Sequence, residues 1–576
     1  MRLVLAIISF VLAAGMVGYG IAQRTFLALP PEVSVSKIVA SDAPLTVIDG
    51  KSLNAFEGSQ TLTIKGAGRV FAGYGRTADV KAWIGDTEYT AMSYDAAKGE
   101  FVTKLVRGTA TEVPDPKGSD LWFDDFTKKH ELKATINVPD DVSVIIASDG
   151  TQPAPASTKV SWPIDNSTPW AAPLIIGGAV VLLIGLALLF LATHEMRSSH
   201  GPRRKPQKMP KVPRQRSIKP SRKAISQSPR GRRRGMIAAP MILVGALALS
   251  GCSVLPGNHS TPTPTVAEAP SASHLEPPAA TVHQVERIVA RVSSVSRSAD
   301  AALDNELIAT RFDGAALELR LANYKIRSAD RKTPAPAAIP AGPVKLTLPQ
   351  QTAGWPRTVF AVIQNAKDAK VPPIGLFLVQ QDPRSNYKVA YNITLEPSAK
   401  LPNVAPANVG ASQLGADSGV LKLKPTDVAL AYGEILEEDV DASAYLQFES
   451  KGDSLRIAVG RDAKKKLAQK LPSTARVAFG HSLGASEPIS LAANDAGALV
   501  AVNLNETTTV RPVEAGAAVN PTGSVRALSG LAVSTKGVIA TYGDQLLFYV
   551  PPAGSDKKIV LLGFTQGLVS AAEVKK

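Results

Sequence analysis

The stretch "WAAPLIIGGAVVLLIGLALLFLA", Trp170 to Ala192, divides this chain of 576 residues. It carries no charged side chain, and its 23 residues suffice for a helix to cross the roughly 30 Å hydrocarbon core of a bilayer. A second run, "LVLAIISFVLAAGMVGYGIA", Leu3 to Ala22, meets the same requirement. It is long for the core of a signal peptide and no A-x-A site follows it, so residues 1–23 read as an uncleaved anchor. A third, "MIAAPMILVGALALSGC", Met236 to Cys252, is shorter and contains Pro240. Its length suits a signal-peptide core better than a stable span.

The formal net charge is +15, which raises the question of nucleic acid. Its distribution answers it. Between Arg197 and Arg234 lie 15 Lys and Arg and no Asp or Glu, so the rest of the chain is near neutrality. The segment is rich in Pro and Ser and lacks apolar periodicity, as expected of disorder. A basic loop beside membrane spans marks the cytoplasmic side, and residues 194–235 are assigned there. No nucleic-acid partner is expected. Arg203, Arg204, Lys205, Arg232, Arg233 and Arg234 are expected to meet anionic lipids of the inner leaflet. The span at 169–193 then runs outside to inside and the first span inside to outside. The expectation is a multi-pass cell-membrane protein with both folded domains extracytoplasmic.

"RGRRRGMIAAPMILVGALALSGCS" joins an arginine cluster to an apolar core and to Leu249-Ser250-Gly251-Cys252. It resembles the bacterial lipoprotein signal, and the resemblance implies that the Cys252 thiol takes a diacylglyceryl group after cleavage before it. Cys252 is the only cysteine, so no intrachain disulfide can form. Lipoprotein signals stand at N-termini, and segment 236–252 is internal. Either a two-span protein is naturally fused to a lipoprotein, or two reading frames are joined near Met209 or Met236. Residues 253–279, rich in Pro, Thr and Ser, read as a tether.

Residues 24–168 read as an all-β domain. "QTLTIKG", "RVFAGYG", "DVKAWIG", "EYTAMSYD", "ELKATINV", "VSVIIAS" and "TKVSWPI" are short alternating runs separated by turn residues. Trp83, Trp122 and Trp162 are expected in the core. Asp124 and Asp125 in "WFDDF" are adjacent, so on a strand they face opposite ways, and they read as a turn or solvated edge.

Residues 280–576 read as α+β. Val282, Val285, Ile288, Val289, Val292 and Val295 share one helix face, and a second helix follows Asp313-Gly314 with Leu317, Leu321 and Tyr324 inward. Strands "VKLTLP", "RTVFAVIQ", "IGLFLVQQ" and "YKVAYNITL" follow. Thr426 can cap a helix, and another is expected from Ala463 to Lys470. Then come "ARVAFG", "ALVAVNL", "GVIATYG", "QLLFYV" and "IVLLGFT". This doubled order, units 280–420 and 421–576, resembles a tandem of cystatin-like or nuclear-transport-factor-like cones.

The end of the first span near "GYGIAQRT", "VSWPI" at the close of the β domain, the basic loop and the C-terminal half together resemble uncharacterised membrane-anchored envelope proteins of actinobacteria. That resemblance brings a glycosyltransferase label for some members and no catalytic residues.

"GHSLG", Gly480 to Gly484, has the spacing of a hydrolase nucleophile elbow. A serine needs a histidine base, and in that fold the histidine comes last in the chain. None follows Ser482, and Pro488 opposes the helix the elbow requires. The motif therefore reads as a strand-end turn, with no catalytic residue. One cysteine and scattered histidines provide no metal cluster, and no cofactor is implied. The leading expectation is a non-catalytic envelope protein that binds or scaffolds a partner protein, glycan or other envelope component. The alternatives are an enzyme or accessory factor of envelope glycan assembly, and a small-ligand carrier lipoprotein.

Overall fold

The computed structural model describes residues 1–28, 30–164, 166–198, 275–366, 368 and 370–575. These fall into two compact units. One consists of two long helices, α1 (Arg2–Arg24) and α4 (Ala171–Ser198). They are antiparallel. Gly20 lies against Ala171 and Ile175, Gly178 against Ala13 and Val17, and Gly185 against Ser9 and Phe10. A Cβ on Gly178 would come 2.7 Å from Val17 Cγ2, so glycine is what lets the backbones approach, as small residues do between membrane helices. At one end Arg2 forms an ion pair with Glu195. Among the described residues, these two helices are long and apolar enough to cross a membrane.

The second unit begins with a β-rich domain: β1 (Glu32–Ile38), β2 (Leu45–Ile48), α2 (Gly50–Leu53), β3 (Gln60–Arg76), α3 (Thr77–Ile84), β4 (Tyr89–Asp95), β5 (Glu100–Val106), β6 (Asp124–Ile136), β7 (Val142–Ala147) and β8 (Ser157–Pro163). They form one sheet in the order β1-β8-β3-β7-β2-β4-β5, with β6 also on β3. Only the β2–β4 pair in this sheet is parallel. Two strands expected separately are one, β3, with an irregularity between Lys65 and Arg69. Its first half pairs with β8 and its second with β7. Trp162 and Phe101 anchor one core, and Trp83, Trp122 and Phe71 another.

One expected strand is corrected. "DVKAWIG" belongs to helix α3, where Val80, Trp83 and Ile84 are buried together at i, i+3 and i+4. Gly85, at φ +57°, ends it. The domain is therefore β-rich and not all-β.

The rest of the unit comprises α5 (Val282–Ala302), α6 (Asn305–Ala309), α7 (Gly314–Ala329), β9 (Val344–Pro349), β10 (Arg357–Ile363), β11 (Ile374–Gln380), β12 (Lys388–Leu395) and β13 (Gln413–Leu414). It continues with α8 (Pro425–Glu438), α9 (Ser454–Val459), α10 (Arg461–Gln469), β14 (Ala475–Leu483), β15 (Ile489–Ala492), β16 (Ala498–Pro512), α11 (Gly523–Ser529), β17 (Val538–Val550) and β18 (Val560–Glu573). Helix α5 opens on a capping box between Thr281 and Gln284. Its Val285, Ile288, Val289 and Val292 are fully buried, worth about 1.5–3 kcal/mol each. Helix α8 starts at Pro425, whose missing N–H suits the first turn, so Thr426 lies inside the helix and does not cap it.

The strands make one ten-stranded sheet, β13-β15-β16-β17-β18-β12-β11-β10-β9 with β14 on β16. The two halves meet edge to edge where Thr394 pairs with Phe564 and Leu395 with Gly563. Helices α5 to α7 cover one face of the first half, packing on Val359, Ala361 and Leu376. Helices α8 and α9 cover one face of the second, packing on Val500, Val502 and Phe548. The opposite faces share one core, in which Phe360 and Phe377 join Leu499, Ala501 and Leu547. The layering is helix, sheet, sheet, helix. The helix-then-sheet order occurs twice, and the two units share both a sheet and a core.

Candidate functional site

On the helix-covered face of β16, Val500, Val502 and Leu504 alternate inward, and Glu506 continues the row. On β17, Phe548 and Leu546 lead to Asp544 in the same way. The apolar rows thus end in two carboxylates. Lys464 of α10 reaches Glu506 Oε2 at 2.5 Å and donates to Val459 O at 2.9 Å. Gln566, opposite Asp544 on β18, donates to Glu506 Oε1 at 3.2 Å. Glu506 is therefore satisfied at both oxygens.

Asp544 is not. It is fully buried, and neither carboxyl oxygen has a hydrogen-bond partner of good geometry. Burial, and then the charge of Glu506, push its pKa well above the usual carboxylate range. Deeper under α8, Tyr432 donates to Asp453 at 2.8 Å, and burial raises the pKa of Asp453 as well. A cleft of about 260 Å³ opens beside this cluster. Ala463, Leu467 and Phe479 form apolar walls, and Lys464, Glu506, Tyr542 and Gln566 a polar end. An apolar cavity with a few convergent polar groups is the form of a small-molecule site.

The "GHSLG" motif lies on β14, beside this cluster. Ser482 is exposed on the strand, opposite Asn505, and no helix follows it. His481 lies opposite Glu506 and points its Nδ1 to Glu437 Oε1 at 3.0 Å. The glycines of the region serve packing. A Cβ on Gly433 would come 2.5 Å from the His481 ring, and one on Gly484 would come 1.8 Å from Asn503 Oδ1.

A second polar constellation escaped the sequence. Asp124 and Asp125 are not a solvated edge. Arg287 Nη1 of α5 donates to both, at 3.1 and 3.0 Å, and Arg291 reaches Asp125 at 3.3 Å. Arg291 also holds Asp120 at 3.0 Å, and Arg311 pairs with the same carboxylate. Tyr387 N donates to Asp120 at 3.0 Å. Asp79 takes both arms of Arg357, at 2.6 and 3.0 Å. Arg384 donates to the carbonyls of Trp83 and Ile84. In these pairs the β-rich domain gives carboxylates and carbonyls and the C-terminal region gives arginines, while Arg76 runs the other way and donates to Pro278 O at 2.5 Å. One signal was available: Gln284, Arg287 and Arg291 stand at i, i+3 and i+7 on α5, a polar stripe beside the apolar one.

Cys252 with Leu249, Ser250 and Gly251, and Arg203, Arg204, Lys205, Arg232, Arg233 and Arg234, lie outside the described residues. Among the described residues, no group of three His, Cys, Asp or Glu is placed to hold a metal.

The sequence profile of a family described as a domain of unknown function (DUF8094) matches residues 276–573. An uncharacterised lipoprotein of Streptomyces coelicolor is 26% identical over 299 residues, which cover 49% of this chain and 80% of that protein. No solved structure matches the chain. The lipoprotein relative and the two apolar helices point to a membrane-associated protein.

Proposed function

This chain belongs to the DUF8094 family, and we propose that it is a non-catalytic, membrane-anchored protein of the cell envelope that binds a small envelope component outside the membrane. The observation that carries the reading is the Lys464–Glu506 pair, with Gln566 on the second Glu506 oxygen, at the polar end of an apolar-walled cleft. A ligand that fits is a small amphiphile, with its hydrogen-bonding end at Glu506 and Gln566 and its apolar part along Leu467 and Phe479. The position of Ser482 on an antiparallel strand supports binding over hydrolysis.

Both folded domains are read as extracytoplasmic. Two relationships support their standing on one side of the membrane, and the basic loop at 194–235 supports which side. Arg2 and Glu195 meet at one end of an antiparallel hairpin, so a spanning α1 and α4 begin and end on the same side. The ion pairs of the β-rich domain with α5 and β10 support placing residues 275 onward on the side of residues 30–164. A chain that leaves that side through α4 must return between 198 and 275, where the Met236–Cys252 run and its lipobox stand. The basic loop would then lie on the anionic inner leaflet.

Native mass spectrometry of the detergent-extracted protein tests the binding claim. A non-covalent adduct is expected on the wild type and not on Ala463→Trp, which fills the cleft. Absence of any adduct from freshly extracted wild type would contradict it.

A further inference from the structure

We propose that the seam between residues 30–164 and 275–575 is a docking surface between two polypeptides, able to hold the C-terminal region on the membrane after the chain is cut. It stands apart from the cleft, and it holds whether or not Cys252 is lipidated.

The seam has the chemistry of a protein–protein interface. Its ion pairs are sorted by side: Asp79, Asp120, Asp124 and Asp125 on one, Arg287, Arg291, Arg311 and Arg357 on the other, with Arg76 a cation on the carboxylate side. Asp120 is wholly buried at its side chain, and Arg357 is 2% exposed. Arginine is suited to this role because its planar fork meets a carboxylate with two hydrogen bonds. An apolar anchor lies beside it. Trp355 packs on the cluster of Trp83, Trp122 and Phe71, with the Arg357 guanidinium 3.9 Å from its ring centre. Buried aromatic and arginine anchors of this kind dominate binding energy at interfaces.

The contacts do not depend on chain continuity. The partners are separated by more than 150 positions, as in Arg287–Asp124 and Arg357–Asp79, and the connection runs through α4 and residues 199–274. A cut there removes no seam contact. It converts an intramolecular contact into a two-chain complex, at the cost of the effective concentration that the linker provided.

The experiment uses the full chain in native membranes, with a specific protease site inserted between residues 260 and 270, downstream of Cys252. Cutting there releases a fragment that carries neither lipid nor apolar helix. If the seam docks the fragment, it sediments with the membranes after cutting. Arg287→Ala with Arg291→Ala, both partly exposed positions of α5 at the seam, should weaken retention about a hundredfold or more. Trypsin resistance of the released fragment confirms that it stays folded. Passage of the wild-type fragment into the supernatant would overturn the proposal. Equal retention of wild type and double variant would overturn the assignment of the seam to these arginines.

Discussion

Arg357 and Asp79, 278 positions apart, meet in a two-armed ion pair of 2.6 and 3.0 Å. Both side chains are almost wholly buried, and the pair ties β10 of the C-terminal region to α3 of the β-rich domain. Arg357→Met would leave Asp79 buried, with only Arg76 near it at 3.6 Å. Breaking one side of a buried pair costs about 3–5 kcal/mol. Urea unfolding of the purified full chain should show a loss of that size, and a smaller one for Arg357→Met combined with Asp79→Asn. A loss below about 1 kcal/mol in the single variant would remove the pair from any structural role.

Asp544 provides a pH signature. Its pKa in the fold is raised by burial and by Glu506, so the folded state holds a proton that the unfolded state releases near the ordinary carboxylate value. Stability from this group is full at acid pH and falls as pH rises above that value towards the raised one. Asp544→Asn removes the dependence. The melting temperature of the variant relative to wild type should therefore climb as pH rises above the ordinary carboxylate range. A flat or declining difference would mean that Asp544 is already ionised in the fold.

The "GHSLG" stretch separates packing from catalysis. Gly484→Ala forces a methyl into Asn503, and overpacking of this kind costs about 1–3 kcal/mol. Ser482→Ala, at an exposed strand position, should change stability by no more than about 0.5 kcal/mol. A fluorophosphonate probe should leave Ser482 unlabelled, and covalent labelling there would reinstate a hydrolase.

The apolar face of α5 was legible because Val285, Ile288, Val289 and Val292 repeat with the helical period. Strands β9 to β12 were legible because turn residues bound each of them. Helix α3 was not, since eight residues from Thr77 to Ile84 fit either period, and docking of Trp83 against Trp122 decides the matter. The seam was illegible for a different reason. A charged residue in a sequence reads as solvated until its partner is known, and Asp120 and Arg311 are 191 positions apart. The acid pair Glu506 and Asp544 was hidden likewise, because β16 and β17 become neighbours only in the sheet.

Cys252 lies outside the described residues, and its fate is decided by mass. Intact-mass analysis of the membrane fraction should find a C-terminal fragment beginning at Cys252 and heavier by a diacylglyceryl group. An intact chain with a free thiol would contradict lipoprotein processing.

The central claim is that both folded domains stand outside the membrane as one body. Single cysteines placed in a Cys252→Ser background test it most directly. Lys128→Cys lies on β6 and Lys345→Cys on β9, both exposed, and Ser226→Cys lies in the basic segment. A membrane-impermeant maleimide applied to intact cells should label the first two and spare the third. Labelling of only one of the first two would place the domains on opposite sides and contradict the claim.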